Sequence, residues 1–270
     1  MPPTVAAMHD LAFVFAGFFV GLVVGLTGVG GGSLMTPILI FFFGVKPYMA
    51  VGTDLLFAAF TKMGGTVKLA RSRHIDWPVV LNLSAGSIPA ALITLYILHT
   101  LGATSPEVQR LMTTTLGFAL LMTAAATLYK ALRGKAAPIS VAKGQEAVAA
   151  RPRHWSLPLL FGALIGTLVT LTSVGAGAIG VTVLMLLYPL LPLPRIVAAD
   201  IAYAVPLTLV AGMGHASLGS VDWPLLAKLL AGSIPGIWVG SHLMFKTPEH
   251  IIRSLLSLLL AYAGLKLIAF

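Results

Sequence analysis

Ten long apolar segments, separated by short stretches rich in glycine, proline or charge, make up most of this 270-residue chain. A helix rises about 1.5 Å per residue, so a segment of about 20 residues crosses the ~30 Å hydrocarbon core of a bilayer. Backbone N–H and C=O groups find no water inside that core, and a helix satisfies them within one segment. The chain is therefore predicted to be an all-α integral membrane protein. The segments run approximately over residues 11–27, 32–44, 47–66, 77–99, 107–131, 156–173, 177–192, 195–214, 223–245 and 250–269.

The composition agrees with a membrane protein and excludes several other classes. Hydrophobic residues make up 58% of the chain, charged residues 9%, and the mean hydropathy is +0.97, values that a soluble domain of this length does not have. The net charge of +9 comes mostly from loops between apolar segments, so no nucleic-acid partner is predicted. The chain has no cysteine and no metal-ligand or nucleotide-binding motif. We therefore predict no enzyme activity, no metal and no cofactor.

The two sets of five segments are related in sequence. An offset of 146 residues aligns Asp54 with Asp200, DWP at 76–78 with DWP at 222–224, and AGSIP at 85–89 with AGSIP at 231–235. An offset of 145 aligns LTGVGGG at 26–32 with LTSVGAG at 171–177. Matching motifs at one offset indicate an internal repeat rather than a shared richness in small apolar residues. The predicted units are an N-terminal transmembrane repeat (1–133), a cytoplasmic linker loop (134–154) and a C-terminal transmembrane repeat (155–270).

Loop charges indicate that the second repeat is inverted in the membrane. The loop at 68–76 contains three basic residues, whereas its counterpart at 214–222 contains neither lysine nor arginine. Cytoplasmic loops carry the excess of these residues. With the N-terminus outside, the cytoplasmic side receives Lys68, Arg71, Arg73, Lys130, Arg133, Lys135, Lys143, Arg151, Arg153, Arg195, Lys246 and Arg253, and the outer side receives Lys46, Arg110, Lys228 and Lys266. Inverted repeats are characteristic of secondary transporters, which expose one site alternately to each side.

The glycine-rich stretch TGVGGGS at 27–33 is predicted to be a helix break within the membrane. The segment after it has room for only about 16 Å of helix, so it forms either a re-entrant hairpin or a crossing with a steep break. Irregular backbone at this depth needs protein or a wet cavity around it. Free N–H groups at the start of the next helix attract anions, so this stretch and its counterpart TSVGAGA at 172–178 are expected to form one central site. Close packing of small residues is the alternative explanation.

These motifs resemble those of a known family. GLTGVGGGSLMTP at 25–37, AVGTDLL at 50–56, and a basic turn followed by the AGSIP helix are repeated in degenerate form. Together they resemble the TauE/SafE sulfite exporter family, also called the toluene sulfonate uptake permease family. The resemblance extends from about Ala12 to Ala269. It implies a carrier of small sulfur-containing or organic anions, such as sulfite, a sulfonate or sulfoacetate, in the bacterial cytoplasmic (inner) membrane.

Three charged residues stand out within the apolar segments, where a charge needs a partner or a wet cavity. Asp54 and Asp200 occupy equivalent positions in the two repeats. They are predicted to couple transport to protons, or alternatively to brace the broken helices by accepting backbone N–H groups. Lys62 lies about two helical turns after Asp54 on nearly the same face. It either neutralises the anion or extends to the inner membrane boundary.

Hydroxyl and backbone groups at the two breaks complete the predicted site, because hydroxyl groups can donate to the oxygens of sulfite or a sulfonate. The predicted substrate-binding residues are Thr27, Gly28, Gly30, Gly31, Gly32, Ser33, Thr53, Lys62, Thr172, Ser173, Gly175 and Gly177. Asp76 and Asp222 are expected to cap the helices that follow them. Ser87 and Ser233 either line the cavity or satisfy a proline kink, and His215 is expected at the membrane interface.

The sequence thus predicts a secondary active transporter of a small anion, coupled to protons and working by alternating access. A passive anion channel or uniporter of the same build is the alternative. The expected partners are the anionic substrate, protons and the lipid bilayer.

Overall fold

The computed structural model describes residues 3–27, 32–71, 75–132, 156–243 and 249–269. Over these residues the chain forms ten α-helices and no strand, which confirms the all-α prediction. The linker 134–154 and Gly28–Gly31 of the first glycine-rich stretch lie outside the described residues. The helices are α1 (Pro3–Thr27), α2 (Gly32–Phe43), α3 (Pro47–Arg71), α4 (Trp77–Leu101), α5 (Pro106–Leu132), α6 (Ser156–Thr172), α7 (Ala178–Leu187), α8 (Leu193–Ser217), α9 (Trp223–Leu243) and α10 (Glu249–Ala269).

Proline and glycine mark many of the helix boundaries. Proline occupies the first or second position of α3, α4, α5, α8 and α9, where its missing N–H costs no helical hydrogen bond. Gly44, Gly102 and Gly219 lie just beyond α2, α4 and α8 with φ of 64°, 77° and 69°. Glycine adopts this left-handed conformation without a steric penalty, so these residues end the helices.

The outer surface of the helix bundle is apolar, as expected for a protein surrounded by lipid. Phe42, Leu186 and Tyr262 are among the large side chains left mostly exposed. Within the described ranges, three helices are long and apolar enough to cross a membrane, namely Trp77–Leu101, Pro106–Leu128 and Pro194–Ser217. These features identify an integral membrane protein.

Helices α3 and α8 form the centre of the bundle, and residues 51–59 of α3 are all buried. Gly52 lies against His215, and Leu56 contacts Gly212, so residue numbers rise along α3 as they fall along α8. The two helices are therefore antiparallel. Asp54 and Asp200 each lie seven residues after the start of their helix. They consequently lie toward opposite ends of the α3/α8 pair.

Glycine contacts join each half of the chain to the other half. Helix α1 packs along α9, and α6 packs along α4, with glycine against backbone in both pairs. The contacts are Gly17 with Leu229, Gly21 with Ser233, Gly162 with Leu83 and Gly166 with Ser87. Residue numbers rise together in each pair, so the paired helices are parallel. The two sets of contacts are equivalent in the repeat. The offset of 145 relates Gly17 to Gly162, and the offset of 146 relates Leu83 to Leu229.

Helix α2 turns back along α1. The ring centroids of Phe13 and Phe43 are 4.5 Å apart. Phe13 lies in the first half of α1 and Phe43 ends α2, so α2 returns toward the side from which α1 begins. Of the two forms left open by the sequence, the hairpin is the one observed here. Its 12-residue second arm is about 18 Å long, which is too short to cross a bilayer by itself.

Candidate functional site

Asp54 is fully buried and binds the short helix α2. The backbone N–H and the hydroxyl of Thr36 both donate to Asp54 Oδ2, at 3.2 and 2.5 Å. This geometry depends on the hairpin, which brings the second turn of α2 level with the second turn of α3. Asp54 therefore braces a broken helix, as one of the two interpretations predicted. Its other oxygen, Oδ1, has no hydrogen-bond partner among the described residues, so half of the carboxylate is left for another role.

The break between α6 and α7 is buried and irregular. Ser173, Gly175 and Gly177 have φ of 59°, 135° and 130°. Ser173 is the only non-glycine residue with positive φ in the part of the chain that the structure describes. Such backbone is strained for a residue with a side chain and is common at binding sites.

Thr172 holds this break together. Its hydroxyl donates to the Leu168 carbonyl at 2.6 Å and accepts the Val174 N–H at 3.1 Å. Because both interactions stay within the break, the Thr172 hydroxyl maintains the backbone shape. The predicted contact of this hydroxyl with substrate would require it to leave these partners.

Ser173 faces Asp54 across the interior. The two side chains lie close enough to interact, yet Ser173 Oγ and Asp54 Oδ1 both lack a hydrogen bond of good geometry within the described residues. Buried polar atoms without partners are costly in protein and more so in a bilayer. Their position next to the break therefore favours a bound water or ligand between them.

Lys62 points into the same region. Only 6% of the residue is exposed, and Nζ donates to the Ala176 carbonyl of the break at 3.4 Å. The ammonium group also interacts electrostatically with both Asp54 and Asp200. Its side chain thus lies inside the bundle rather than at the membrane boundary. A buried cation held by a carbonyl and by distant carboxylates is a suitable binding group for an anion.

Asp200 is buried against the first turn of α7. A Cβ atom on Gly180 would clash with Asp200 Oδ1, so glycine is required for this close approach. The contact corresponds to that of Asp54 with α2, because each aspartate lies against the short helix of its own half. The structure therefore places both predicted carboxylates at broken helices, with Lys62 within electrostatic range of both.

Tyr203 was not predicted from the sequence. It is fully buried, lies beside Ser87 of α4 and interacts with Asp200. Its hydroxyl and that of Ser87 have no well-formed hydrogen bond among the described residues. The spacing of three residues from Asp200, which puts both side chains on one helix face, was the available signal.

Other predicted residues lie apart from this cluster or outside the description. The Thr53 hydroxyl accepts the Asp222 N–H at 3.1 Å, so it faces the start of α9 rather than the break. Gly28, Gly30 and Gly31 lie outside the described residues, and no side-chain contact is described for Thr27, Gly32 or Ser33. The proposed pairing of the two breaks therefore stays a prediction.

Two sequence expectations are corrected by the structure. Asp222 caps α9 by accepting the Leu225 N–H at 2.9 Å, but Asp76 makes no side-chain cap bond and instead lies 3.5 Å from Arg195. The nearby cation of α8 competes for this carboxylate.

His215 is fully buried, and its Nε2 lies 2.9 Å from the Thr170 carbonyl oxygen. It is enclosed because α8 packs on both α3 and α6 at this level.

Comparison with known proteins gives a consistent result. Residues 13–267 match the family model described as Sulfite exporter TauE/SafE. "Probable membrane transporter protein YjnA" of Bacillus subtilis (strain 168) is 34% identical over 268 residues, covering 96% of this chain and 100% of that protein. "Probable membrane transporter protein YunE" of the same strain is 29% identical over 253 residues, covering 87% of each chain. A "Probable membrane transporter protein" of Xylella fastidiosa (strain 9a5c) is 25% identical over 248 residues, covering 90% and 89%. No solved structure matches the chain.

Proposed function

We propose that this chain, which belongs to the TauE/SafE sulfite exporter family of membrane transporters, moves a small anion through the site between α3, α8 and the α6–α7 break. Family membership makes it a transporter and not an enzyme. The transport is secondary active, coupled to protons, and proceeds by alternating access. The substrate class is a small sulfur-containing or organic anion, such as sulfite, a sulfonate or sulfoacetate.

The buried ammonium of Lys62 carries the proposal. It lies deep in the bundle next to an irregular stretch of backbone, where Ser173 Oγ and Asp54 Oδ1 lack a hydrogen-bond partner among the described residues. An anion with several oxygens could accept hydrogen bonds from Lys62 and from hydroxyl groups at the same time. This combination favours an oxyanion over a neutral or apolar substrate.

Alternating access is supported by the way helices of one half pack on helices of the other half. Helix α1 is parallel to α9, α6 is parallel to α4, and α3 is antiparallel to α8. Of these pairs, α3 and α8 are counterparts in the two halves, and their opposite directions are what the inverted-repeat proposal requires. The Asp76–Arg195 ion pair also joins the starts of α4 and α8, two positions that the charge rule assigns to the cytoplasmic side. We place the protein in a bacterial cytoplasmic membrane, which is the setting implied by its bacterial relatives.

Uptake into proteoliposomes tests the proposal. Purified protein is reconstituted and given labelled sulfite, sulfoacetate or ethanesulfonate, with and without an imposed pH gradient. Accumulation above equilibrium that collapses when a protonophore is added is the expected result. Equilibration without accumulation would instead indicate a channel or uniporter, and the same vesicles without protein provide the background.

A further inference from the structure

The interior of the bundle contains an unequal set of charges. Asp54, Asp200 and Lys62 are buried within the bundle, and Lys62 interacts electrostatically with both aspartates. Helices α2, α6 and α7 contain no charged or titratable side chain. The other titratable or charged groups described on and around α3 and α8 fall into three sets. The first set is the two ion pairs Asp76–Arg195 and Asp10–Lys228. The exposed groups are Tyr96, His99, Glu107, Arg110 and His242, and the remaining groups are Tyr48, Tyr188, Tyr203, His215 and Asp222.

Lys62 lies between the two carboxylates along the bundle axis. Asp54 precedes it by eight residues on α3, a rise of about 12 Å. Since Leu56 contacts Gly212 of the antiparallel α8, the α8 residue level with Lys62 is close to Pro206. Asp200 is then about 9 Å farther along in the opposite direction from Asp54. One cation is therefore shared by two carboxylates, one in each half.

Charge balance decides when an anion can bind. With both carboxylates ionised, the three groups have a net charge of −1. An anion bound at Lys62 is then repelled by both carboxylates. At a separation of about 10 Å and an effective dielectric constant of about 20, each carboxylate would weaken anion binding roughly tenfold. Protonation of either carboxylate removes its share of this repulsion.

We infer that Lys62 accepts the anion only after at least one of the two aspartates has taken up a proton, so that anion and proton move in the same direction as symport. This inference rests on the proposed function and specifies its coupling. It follows from the ratio of one buried cation to two buried carboxylates in the part of the chain that the structure describes. An exchanger that releases a proton when the anion binds does not fit this ratio, because binding would then add a negative charge to an already negative site.

Proton uptake on anion binding is the direct measurement. Detergent-solubilised protein in a weak buffer with a pH indicator is titrated with ethanesulfonate and with sulfoacetate; the sulfonate group stays ionised at all pH values used. We expect net proton uptake for each anion bound and tighter binding at lower pH, because binding and protonation are linked reciprocally.

Variants assign the effect to the three groups. The double variant Asp54→Asn/Asp200→Asn is expected to bind the anion without proton uptake and with little pH dependence, since its site keeps the positive charge of Lys62. Lys62→Gln is expected to lose binding. Asp10→Asn is the matched control, because this exposed carboxylate pairs with Lys228 outside the site. His215→Gln controls for the buried imidazole of α8. Both controls are expected to retain wild-type proton uptake.

The outcomes separate the inference from the proposed function. Uptake of protons that disappears in the double variant supports symport. Anion binding with proton release, or with no proton change in the wild-type protein, overturns symport while leaving a transporter. Failure of the reconstituted wild-type protein to bind or move any of the tested anions overturns the proposed function and the inference together.

Discussion

The two halves of the molecule share a framework but differ in the side chains that they place at its centre. Each half has an aspartate against its own short helix, at positions related by the offset of 146. At the same offset, however, Lys62 of the first half corresponds to Thr208, whose hydroxyl donates to the Ala204 carbonyl at 2.8 Å. At these two pairs of equivalent positions the halves therefore supply two carboxylates and one cation.

A second difference lies one turn after each aspartate. Tyr203 in the second half corresponds to Phe57 in the first, and both are fully buried. The Tyr203 hydroxyl beside Asp200 thus has no counterpart at the equivalent position of the first half, which Phe57 occupies. The repeated framework thus places an aspartate in each half, whereas Lys62 and Tyr203 have no identical counterpart in the other half and make the two halves chemically different.

Moving the single cation tests the comparison most strongly. Lys62→Gln is expected to reduce anion uptake by about 100-fold, because a charged hydrogen-bonding group is lost from the interior. Transferring the cation with Lys62→Thr/Thr208→Lys is expected to restore at least about a tenth of wild-type uptake, since the two positions are equivalent. Initial uptake rates in proteoliposomes provide the measurement.

The matched control for this cation is Lys228→Gln, which alters a surface ammonium that pairs with Asp10. Its uptake should equal that of the wild type. If Lys62→Gln also transported normally, Lys62 would have no part in binding the anion.

Neutralising either aspartate should have the next largest effect. Asp54→Asn and Asp200→Asn are each expected to lower accumulation driven by a pH gradient about tenfold, because one of the two proposed proton acceptors is lost. Thr36→Val separates coupling from bracing, since it removes the hydroxyl donated to Asp54 but keeps the carboxylate. Accumulation is compared with and without the gradient.

A coupling role predicts that Thr36→Val remains sensitive to the gradient while Asp54→Asn loses much of this sensitivity. Equal loss of stability and activity in both variants would favour the bracing role alone.

The contact of α7 with Asp200 has a smaller expected effect. Gly180→Ala forces a methyl group against the carboxylate, and overpacking of this kind typically costs about 1–3 kcal/mol. We expect a lower thermal unfolding midpoint in detergent and a several-fold fall in uptake. Gly64→Ala is the control, because a Cβ at that α3 position meets no atom within 4 Å. Equal behaviour of the two variants would contradict the close approach of α7.

The smallest change is expected at the Asp76–Arg195 ion pair. The two side chains are 14% and 26% exposed, and pairs reached by solvent contribute about 0–1 kcal/mol. Arg195→Gln should therefore change uptake less than about twofold at physiological salt. The corresponding Asp222 has a capping role instead, so Asp222→Ala should destabilise the protein more than Arg195→Gln does. Thermal unfolding midpoints of both variants decide the order.

Much of the fold was accessible from sequence because bilayer-length apolar segments leave few alternatives to helices. The predicted starts of α3, α4 and α9 agree with the structure because proline lies at or next to each of them. Helix α7 ends at Leu187 rather than near residue 192, because the chain turns at Tyr188 before the next proline. Polar helix ends were harder to predict, and α1 begins at Pro3 rather than near residue 11.

The site was predicted only in part. Equivalent positions in the repeat identified Asp54 and Asp200, and burial in an apolar segment identified Lys62. The bond from Thr36 to Asp54 depends on α2 turning back, which sequence left open. The Thr53 and Thr172 hydroxyls bind nearby backbone groups, because hydroxyl groups satisfy the nearest free N–H or C=O and residue type does not reveal which group is nearest. Their contact with substrate stays a prediction.

The glycine contacts between α1 and α9 have a consequence for biogenesis. Ribosomes synthesise the first half before α9 exists, so the glycine face of α1 meets lipid or a chaperone until the second half is inserted. When α6 is synthesised, its partner α4 is already present. The partner of α1, helix α9, is synthesised only after most of the chain. Each half therefore needs helices of the other half to complete its packing. Expressed as separate polypeptides, they should accumulate only when both are made in one cell.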